Sequence, residues 1–485
     1  MIKGRRSCGW STVATMHERT HPVRIAVVGH TNTGKTSLMR TLTRDAGFGE
    51  VSSRPSTTRH VEGARLIVDG EVLVELYDTP GMEDPIALLE TLEGIASPDD
   101  GERLDGPARV ERFLADPVHR GRFEQEGKVL KQMLASDAAL YVIDARDPVL
   151  AKHRDELEIL GGCAIPLLPV LNFVSSVESG EAAWREALSR LGLHAVVRFD
   201  TVAPERGGER RLYETLAMLL EFHRPLLERL VAGREREASV RHSAAMRLVA
   251  ELLVDVAACR IEVDEDSASA LEAAVNDLNE RVRQREQHCV EALLGLYRFR
   301  PDDVDADQLP LIDGRWENDL FNPETLRDMG VKLGTGAVAG AAAGAGIDLM
   351  VGGITLGAAA ALGALAGGGW QALRHFGDRL LGTFTGKRQL AVNDAILRML
   401  ALRQLHLVSA LEARGHAAVK PIGKLVAESG KWREGTLPRP LHRARSRREW
   451  SGLDGSVRDD AGRSDSIEAL RQLMEHDPEW GAEQS

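Results

Sequence analysis

The sequence predicts an α/β domain, with a mostly parallel sheet and one antiparallel hairpin strand, followed by an all-α domain. Three observations lead there. A β-branched run near the amino terminus opens into a glycine-rich loop of phosphate-binding spacing, an Asp-Gly pair joins two alternating apolar runs soon after, and from residue 216 apolar side chains recur at helical spacing. The 485 residues leave room for about three domains. A hydrophobic content of 43% with 28% charged residues belongs to a folded chain, and only 4% aromatics favours Leu/Ala-rich helical packing over a β-sandwich. The net charge of -12 offers no bulk attraction to nucleic acid, which is therefore not expected as a partner. Cys8, Cys163, Cys259 and Cys289 stand singly, with no C-x-x-C pair, which argues against a disulfide framework or Cys-based zinc site and fits a reducing cytoplasm.

Residues 1–21 read as a disordered leader. They carry Lys3, Arg5 and Arg6 but no apolar run long enough for a secretory signal, and Met16 stands as an alternative start. The run His17-Glu18-Arg19-Thr20-His21 formally matches H-E-x-x-H. Pro22 pushes His21 out of α geometry and no apolar face surrounds the motif, so a zinc protease is set aside.

Val23 to Val28 suits a buried parallel strand and leads directly into Gly29-His30-Thr31-Asn32-Thr33-Gly34-Lys35-Thr36-Ser37, the pattern G-x-x-x-x-G-K-[ST]. Gly29 and Gly34 let main-chain N–H groups turn inward around phosphate oxygens, with Asn32, Thr33 and Ser37 completing the cradle. The helix starting near Lys35 points its positive end at the same anion. Lys35 would neutralise the β- and γ-phosphates, and the Thr36 hydroxyl is a hard oxygen suited to Mg2+. Downstream, Ala64 to Val68 and Glu71 to Tyr77 flank Asp69-Gly70, a hairpin signal. The second run ends in Asp78-Thr79-Pro80-Gly81. There Asp78 can hold Mg2+ through water, and the Gly81 amide can approach the γ-phosphate unobstructed.

These residues, with Pro55-Ser56-Thr57-Thr58-Arg59-His60, resemble the Era/TrmE-like branch of small bacterial GTPases over about residues 22–222. The strand pattern Asp137 to Arg146 is similar too. The resemblance implies a P-loop GTPase domain that binds GTP or GDP with Mg2+. It assigns Thr58, with Thr57 as the adjacent alternative, to the metal beside Thr36 and Asp78, and rests hydrolysis on Lys35, Thr58 and Gly81. Two departures stand out. The family reads guanine with N-K-x-D, whereas this chain has Asn172-Phe173-Val174-Ser175, so Asn172 is kept and the carboxylate is lost. Asp200, after a final strand over Ala195 to Phe199, is a candidate substitute. Directly after Gly81, where many GTPases place a water-orienting Gln, stands Met82, which implies slow turnover. Asn32 at the fourth loop position also raises a potassium ion acting as an arginine finger; a plain turn residue is the alternative.

The 56 residues between Gly81 and Ala138 exceed one helix. Helical patterns cover Asp84 to Ile95 and Val110 to Leu134, the latter broken near Asp116-Pro117, and such an insertion is well placed to respond to the γ-phosphate.

A helical region is expected over 223–330, with an acidic connector from Pro301 to Asp313, and again over 375–428, where residues 385–415 read as amphipathic helix. Its long apolar faces leave a self-associating homo-oligomer open. Between them, the 41 residues from Leu333 to Leu373 include 12 Gly, 13 Ala and one charge, Asp348. Residues 331–374 therefore read as a hairpin of two helices, about 331–347 and 354–373, turning at Asp348 and Gly352-Gly353. At ~25 and ~30 Å they approach bilayer thickness. Only 11 of the 41 residues are Leu, Ile, Val, Met or Phe, so a soluble Ala/Gly hairpin competes with lipid contact. Residues 429–485 read as a basic linker, seven Lys/Arg against two Glu over Lys431 to Trp450, and a flexible tail with a short helix at 465–476.

The layout resembles Era-like GTPases that carry a C-terminal helical domain of unknown function. The expectation is a slow Mg-dependent GTPase that switches a helical effector half, in the cytoplasm or on the cytoplasmic face of the inner membrane. Two alternatives stay open: a membrane-remodelling protein with a nearly inactive G domain, and an ATP-using P-loop protein.

Overall fold

The structure, a computed structural model, describes residues 21–44, 61–95, 104–176, 179–201, 205, 207–264, 268–298, 311–312, 315–316, 319–321, 347–351, 354–357, 387–412, 437–453, 457–458 and 460–476. Six strands, β1 (Val23–Val28), β2 (Glu62–Val68), β3 (Glu71–Asp78), β4 (Ala138–Asp144), β5 (Leu167–Asn172) and β6 (Val197–Arg198), form one sheet in the order β2-β3-β1-β4-β5-β6. Only β2–β3 pairs antiparallel. Asp69 and Gly70 both take left-handed φ, 52° and 80°, as a two-residue hairpin turn demands.

Alternate residues of β1 enter different cores: Val23, Ile25 and Val27 on one face, Ala26 and Val28 on the other. The first face is covered by α1 (Lys35–Thr43) and, later in the chain, α8 (Gly208–Leu219). The second is covered by α2 (Pro85–Glu93), α3 (Gly106–Ala115), α5 (Glu124–Leu134), α6 (Ala151–Gly161) and α7 (Glu181–Arg190). The expected break at Asp116-Pro117 is real. Asp116 caps the short α4 (Pro117–Arg122) through the Val118 amide, as Asp84 caps α2 and Asp105 caps α3, each with a proline in the first turn.

The 35-residue α9 (Arg224–Ala258), ~52 Å long, belongs to both halves. Its Leu226, Leu227 and Leu230 pack into the sheet core, while Met246, Val249 and Leu253 enter a second core. Near its start it is fastened to the hairpin: Arg229 pairs with Glu71 at 2.6 Å and Arg236 with Asp69 at 3.0 Å. Gly233 lies so close to β2 that a Cβ there would meet Val68 Cγ1 at 2.4 Å.

Beyond α9 come β7 (Ile261–Asp264), α10 (Ala268–Leu296), the two-stranded β8 (Leu311–Ile312) and β9 (Arg315–Trp316), β10 (Ile347–Val351), β11 (Ile354–Gly357), β12 (Lys387–Val392), α11 (Asp394–Glu412), α12 (Arg439–Arg445) and α13 (Ala461–Glu475). The region is mainly helical, as expected, but four of its strands form an antiparallel sheet in the order β11-β10-β12-β7.

Three expectations need correction. The chain does reverse between Val351 and Ile354, but the turn region 348–351 belongs with Ile347 to a strand, and 354–357, expected as the start of the second helix, is also strand. Ile347, Leu349 and Val351 alternate, and that period of two prevails over the four-residue glycine spacing. The rest of 331–374 lies outside the described residues, and among those described no helix is long and apolar enough to cross a membrane. Residues 387–392 are likewise strand, so helix resumes only at Asp394. Finally, the basic stretch 431–450 is no flexible linker where it is described. Leu437, Leu441, Ala444 and Trp450 are buried in the second core, and α13 follows with Leu470 and Met474 beside them. The Arg side chains lie around this apolar stripe: Arg445 pairs with Asp394 at 2.5 Å and Arg443 lies over the Trp450 ring.

Candidate nucleotide-binding site

The loop after β1 is shaped by residues that tolerate no alternative. Gly29 has φ 142°, and a Cβ on it would lie 2.4 Å from the Val142 carbonyl oxygen. Gly34 has φ 89°, and a Cβ there would meet Asn172 Nδ2 at 2.3 Å. Asn32 is exposed with φ 65°, a left-handed turn position that Asn accepts readily. That geometry accounts for its residue type and lends the potassium reading no support. Thr33 closes the turn by donating from Oγ1 to the His30 carbonyl at 3.0 Å. Among the described residues no side chain caps α1, so the amides at its start are suited to an anion.

Lys35 is 7% exposed, and its ammonium donates to the carbonyls of Gly29 (3.0 Å) and His30 (2.7 Å) inside the loop. Burial lowers its pKa from 10.5 to about 8, against the opposing pull of the Asp78 and Glu156 carboxylates. Thr36 Oγ1 donates to Asp78 Oδ2 at 2.6 Å. The other Asp78 oxygen, Oδ1, is buried with no hydrogen-bond partner among the described residues, and burial raises the pKa of this carboxyl. A hydroxyl and an unsatisfied carboxylate oxygen side by side form a hard-oxygen pair that fits Mg2+. Gly81 reaches the loop directly: a Cβ would lie 2.6 Å from Thr31 Oγ1 and 2.8 Å from its amide nitrogen. The structure thus gathers Gly29, Asn32, Thr33, Gly34, Lys35, Thr36, Ser37, Asp78, Gly81 and Asn172 around one loop. Thr58 lies outside the described residues.

Asn172, fully buried at the end of β5, braces the site. Its Nδ2 donates to the Thr33 carbonyl at 2.9 Å, and its Oδ1 accepts from the amides of Phe173 and Thr201 and from Thr201 Oγ1. Asp200 is also close: its Oδ2 accepts the Ser175 amide at 2.9 Å, so a carboxylate does sit beside the position where N-K-x-D would supply one. The Arg146 guanidinium lies 4.1 Å from the Phe173 ring centroid and is held by Asp144.

Several groups escaped the sequence reading. Glu126 of α5 accepts both the Glu83 and Asp84 amides through Oε1, at 2.8 and 3.0 Å, and so ties the insertion to the segment behind Gly81. The fully buried Glu156 accepts from Tyr141 Oη and meets His30 Nδ1, both at 2.7 Å. Lys152 Nζ lies 2.8 Å from His30 Nε2. An ammonium can only donate, so Nε2 accepts and the ring proton sits on Nδ1, facing Glu156. Met82 is 1% exposed and packs in the core with Leu88 and Phe113. No local pattern announces these partners, because each pair is separated by 15 residues or more.

The family model described as 50S ribosome-binding GTPase matches residues 24–173, and that of the domain of unknown function DUF3482 matches residues 185–472, beginning within α7. No curated protein matches the chain. Among solved structures, an Era point mutant of Aquifex aeolicus bound to GDP and AlF4- is 18% identical, over 41% of this chain and 56% of that one, with a TM-score of 0.29. A mutant NFeoB of S. thermophilus bound to GMPPNP is 20% identical, over 40% and 61%, with a TM-score of 0.26. The G domain of the T. maritima FeoB iron transporter is 22% identical, over 41% and 99%, with a TM-score of 0.24. The chain spans little more than half the length of the Era structure it matches.

Proposed function

Since the chain belongs to the DUF3482 family and carries a P-loop GTPase domain ahead of that region, we propose that it is a GTP-operated switch whose slow hydrolysis governs the helical half. One observation supports this above the others: a buried ammonium, Lys35, beside the Thr36–Asp78 pair with its unsatisfied oxygen. These groups leave positive charge and a hard-oxygen pair facing the loop, an arrangement suited to a phosphate chain and its metal.

In this reading Lys35 compensates the β- and γ-phosphates, while Thr36 and Asp78, joined by Thr58, hold Mg2+. The ion, when bound, offsets charge that develops on the phosphate oxygens. Water adds to the γ-phosphorus as the bond to the β-phosphate oxygen breaks, giving GDP and inorganic phosphate. Met82, buried in the core, offers nothing to orient that water, which supports slow turnover. Gly81 senses the γ-phosphate, and Glu126 carries its displacement into α5. Asp78 itself ends β3, whose other end is fastened to α9, the helix shared with the second half. That gives the site a covalent and packed route to its effector.

Guanine is favoured over adenine because Asp200 stands beside Ser175, where an acid can accept from the base. Ribosome binding is not extended to this chain, whose charge of -12 offers no attraction to RNA. The membrane-remodelling alternative is favoured by Met82 and by Ser175 standing where the guanine-reading carboxylate would be; carbonate extraction of cell membranes, with and without 331–374, separates the two. Phosphate release from GTP under single-turnover conditions tests the switch: slow release that needs Mg2+ is expected, and no release beyond that of free GTP would remove the hydrolase reading.

A further inference from the structure

We propose a transition-metal site of the Zn2+ class at the amino-terminal edge of the first sheet, formed by His21, Asp137 and His223. The three come from distant parts of the chain. His21 lies two residues ahead of β1, Asp137 directly ahead of β4, and His223 ends the turn Glu221–His223 that opens into α9. Parallel pairing of β1 and β4 sets the strand starts side by side, at the opposite end of β1 from the phosphate loop. The site is therefore independent of the nucleotide reading.

One donor atom from each residue lies within 4.8 Å of the others. His21 Nδ1 is 4.0 Å from Asp137 Oδ2, and His223 Nε2 is 4.0 Å from Asp137 Oδ1. Such distances are too long for hydrogen bonds. A tetrahedral ion with bonds of ~2.0–2.1 Å holds its ligand atoms roughly 3.3–3.4 Å apart, so the 4.0 Å pairs must close by about 0.6–0.7 Å and the widest pair by up to about 1.4 Å, which rotation of the side chains supplies. Two imidazoles and one carboxylate match Zn2+ in softness and leave one position to solvent. His223 is only 18% exposed and turns Nε2 toward Asp137, while its buried Nδ1 has no partner among the described residues, so the hydrogen bond that usually orients a metal-bound imidazole is lacking there. Asp137 is oriented by the Arg24 amide, which donates to Oδ2 at 2.8 Å.

Two contacts oppose the ion. The Arg24 guanidinium lies 3.6 Å from Asp137 Oδ1, and His21 Nδ1 is 3.0 Å from the Pro22 carbonyl. Both must yield, and Arg24, 43% exposed, has solvent to turn into. The bound ion would fasten the starts of β1 and β4 to the entry of α9.

The test is titration of the full chelator-stripped chain with Zn2+ against a chromophoric chelator. We expect one ion per chain, binding weakened about tenfold or more in His223→Ala and in Asp137→Asn, and binding tightened several-fold in Arg24→Met. The last variant keeps the result readable even if removing a ligand disturbs the fold. Absence of stoichiometric uptake, or uptake that none of the three substitutions alters, would overturn the site.

Discussion

Replacing Lys35 by methionine probes the phosphate loop through an unusual sign. The side chain has a pKa of about 8 where an ordinary lysine has 10.5, so holding the ammonium in the folded chain at pH 7 costs about 3 kcal/mol. Between pH 8 and 10.5 the unfolded chain keeps a proton that the folded chain has lost, so the cost fades and stability rises across that window. Methionine removes the cost but leaves the Gly29 and His30 carbonyls without their donor, at about 1–1.5 kcal/mol each. The two effects nearly cancel. Lys35→Met should therefore match the natural chain at pH 7 within about 1 kcal/mol in denaturant unfolding. From pH 7 to 9.5 the natural chain should gain ~2 kcal/mol relative to the variant. GTP at a hundredfold excess over its Kd should stabilise the natural chain by ~2.7 kcal/mol and the variant not at all. A variant that loses 3 kcal/mol or more at pH 7 would show Lys35 to be a structural ion-pair partner, and one still stabilised by GTP would refute the assignment of the loop.

Asn172→Ala strips partners from the Thr33 carbonyl and the Phe173 and Thr201 amides, and is expected to cost ~2–4 kcal/mol in chemical denaturation while weakening GTP binding. Asp200→Asn retains an oxygen for the Ser175 amide but loses the charge, so stability should hold while the GTP-to-ATP affinity ratio falls toward one; competition with a fluorescent analogue reads it, and an unchanged ratio removes Asp200 from base recognition. Met82→Gln places an amide in a closed core, with an expected loss of ~1–3 kcal/mol and no gain in single-turnover phosphate release; faster release would show that position 82 does reach the water.

What the sequence could disclose follows from the range of each interaction. The phosphate loop, the Asp69-Gly70 hairpin and Asp78 are written in contiguous residues, and from them the parallel sheet with one antiparallel strand was legible. Asn172 was found through its motif, but its role as a brace depends on Thr33 and Thr201, which only the fold brings near. Glu126 and Glu156 are isolated acids in helical segments that give no local sign of meeting loop residues. The second sheet joins β7 to β12 across more than a hundred residues of chain, so its pairing had no local signature. The buried stripe Leu437, Leu441, Ala444 could have been read at helical spacing, and was obscured by the surrounding arginines, which lie along it rather than in water alone.

The proposed switch stands or falls with a triphosphate held by main-chain amides and Lys35. Isothermal titration of the full chain with GTP in Mg2+ tests this most directly: one site per chain, weaker for ATP and absent in Lys35→Met, is the expected result. A natural chain that releases no heat with either nucleotide, or a Lys35→Met variant that binds GTP as tightly, would contradict it.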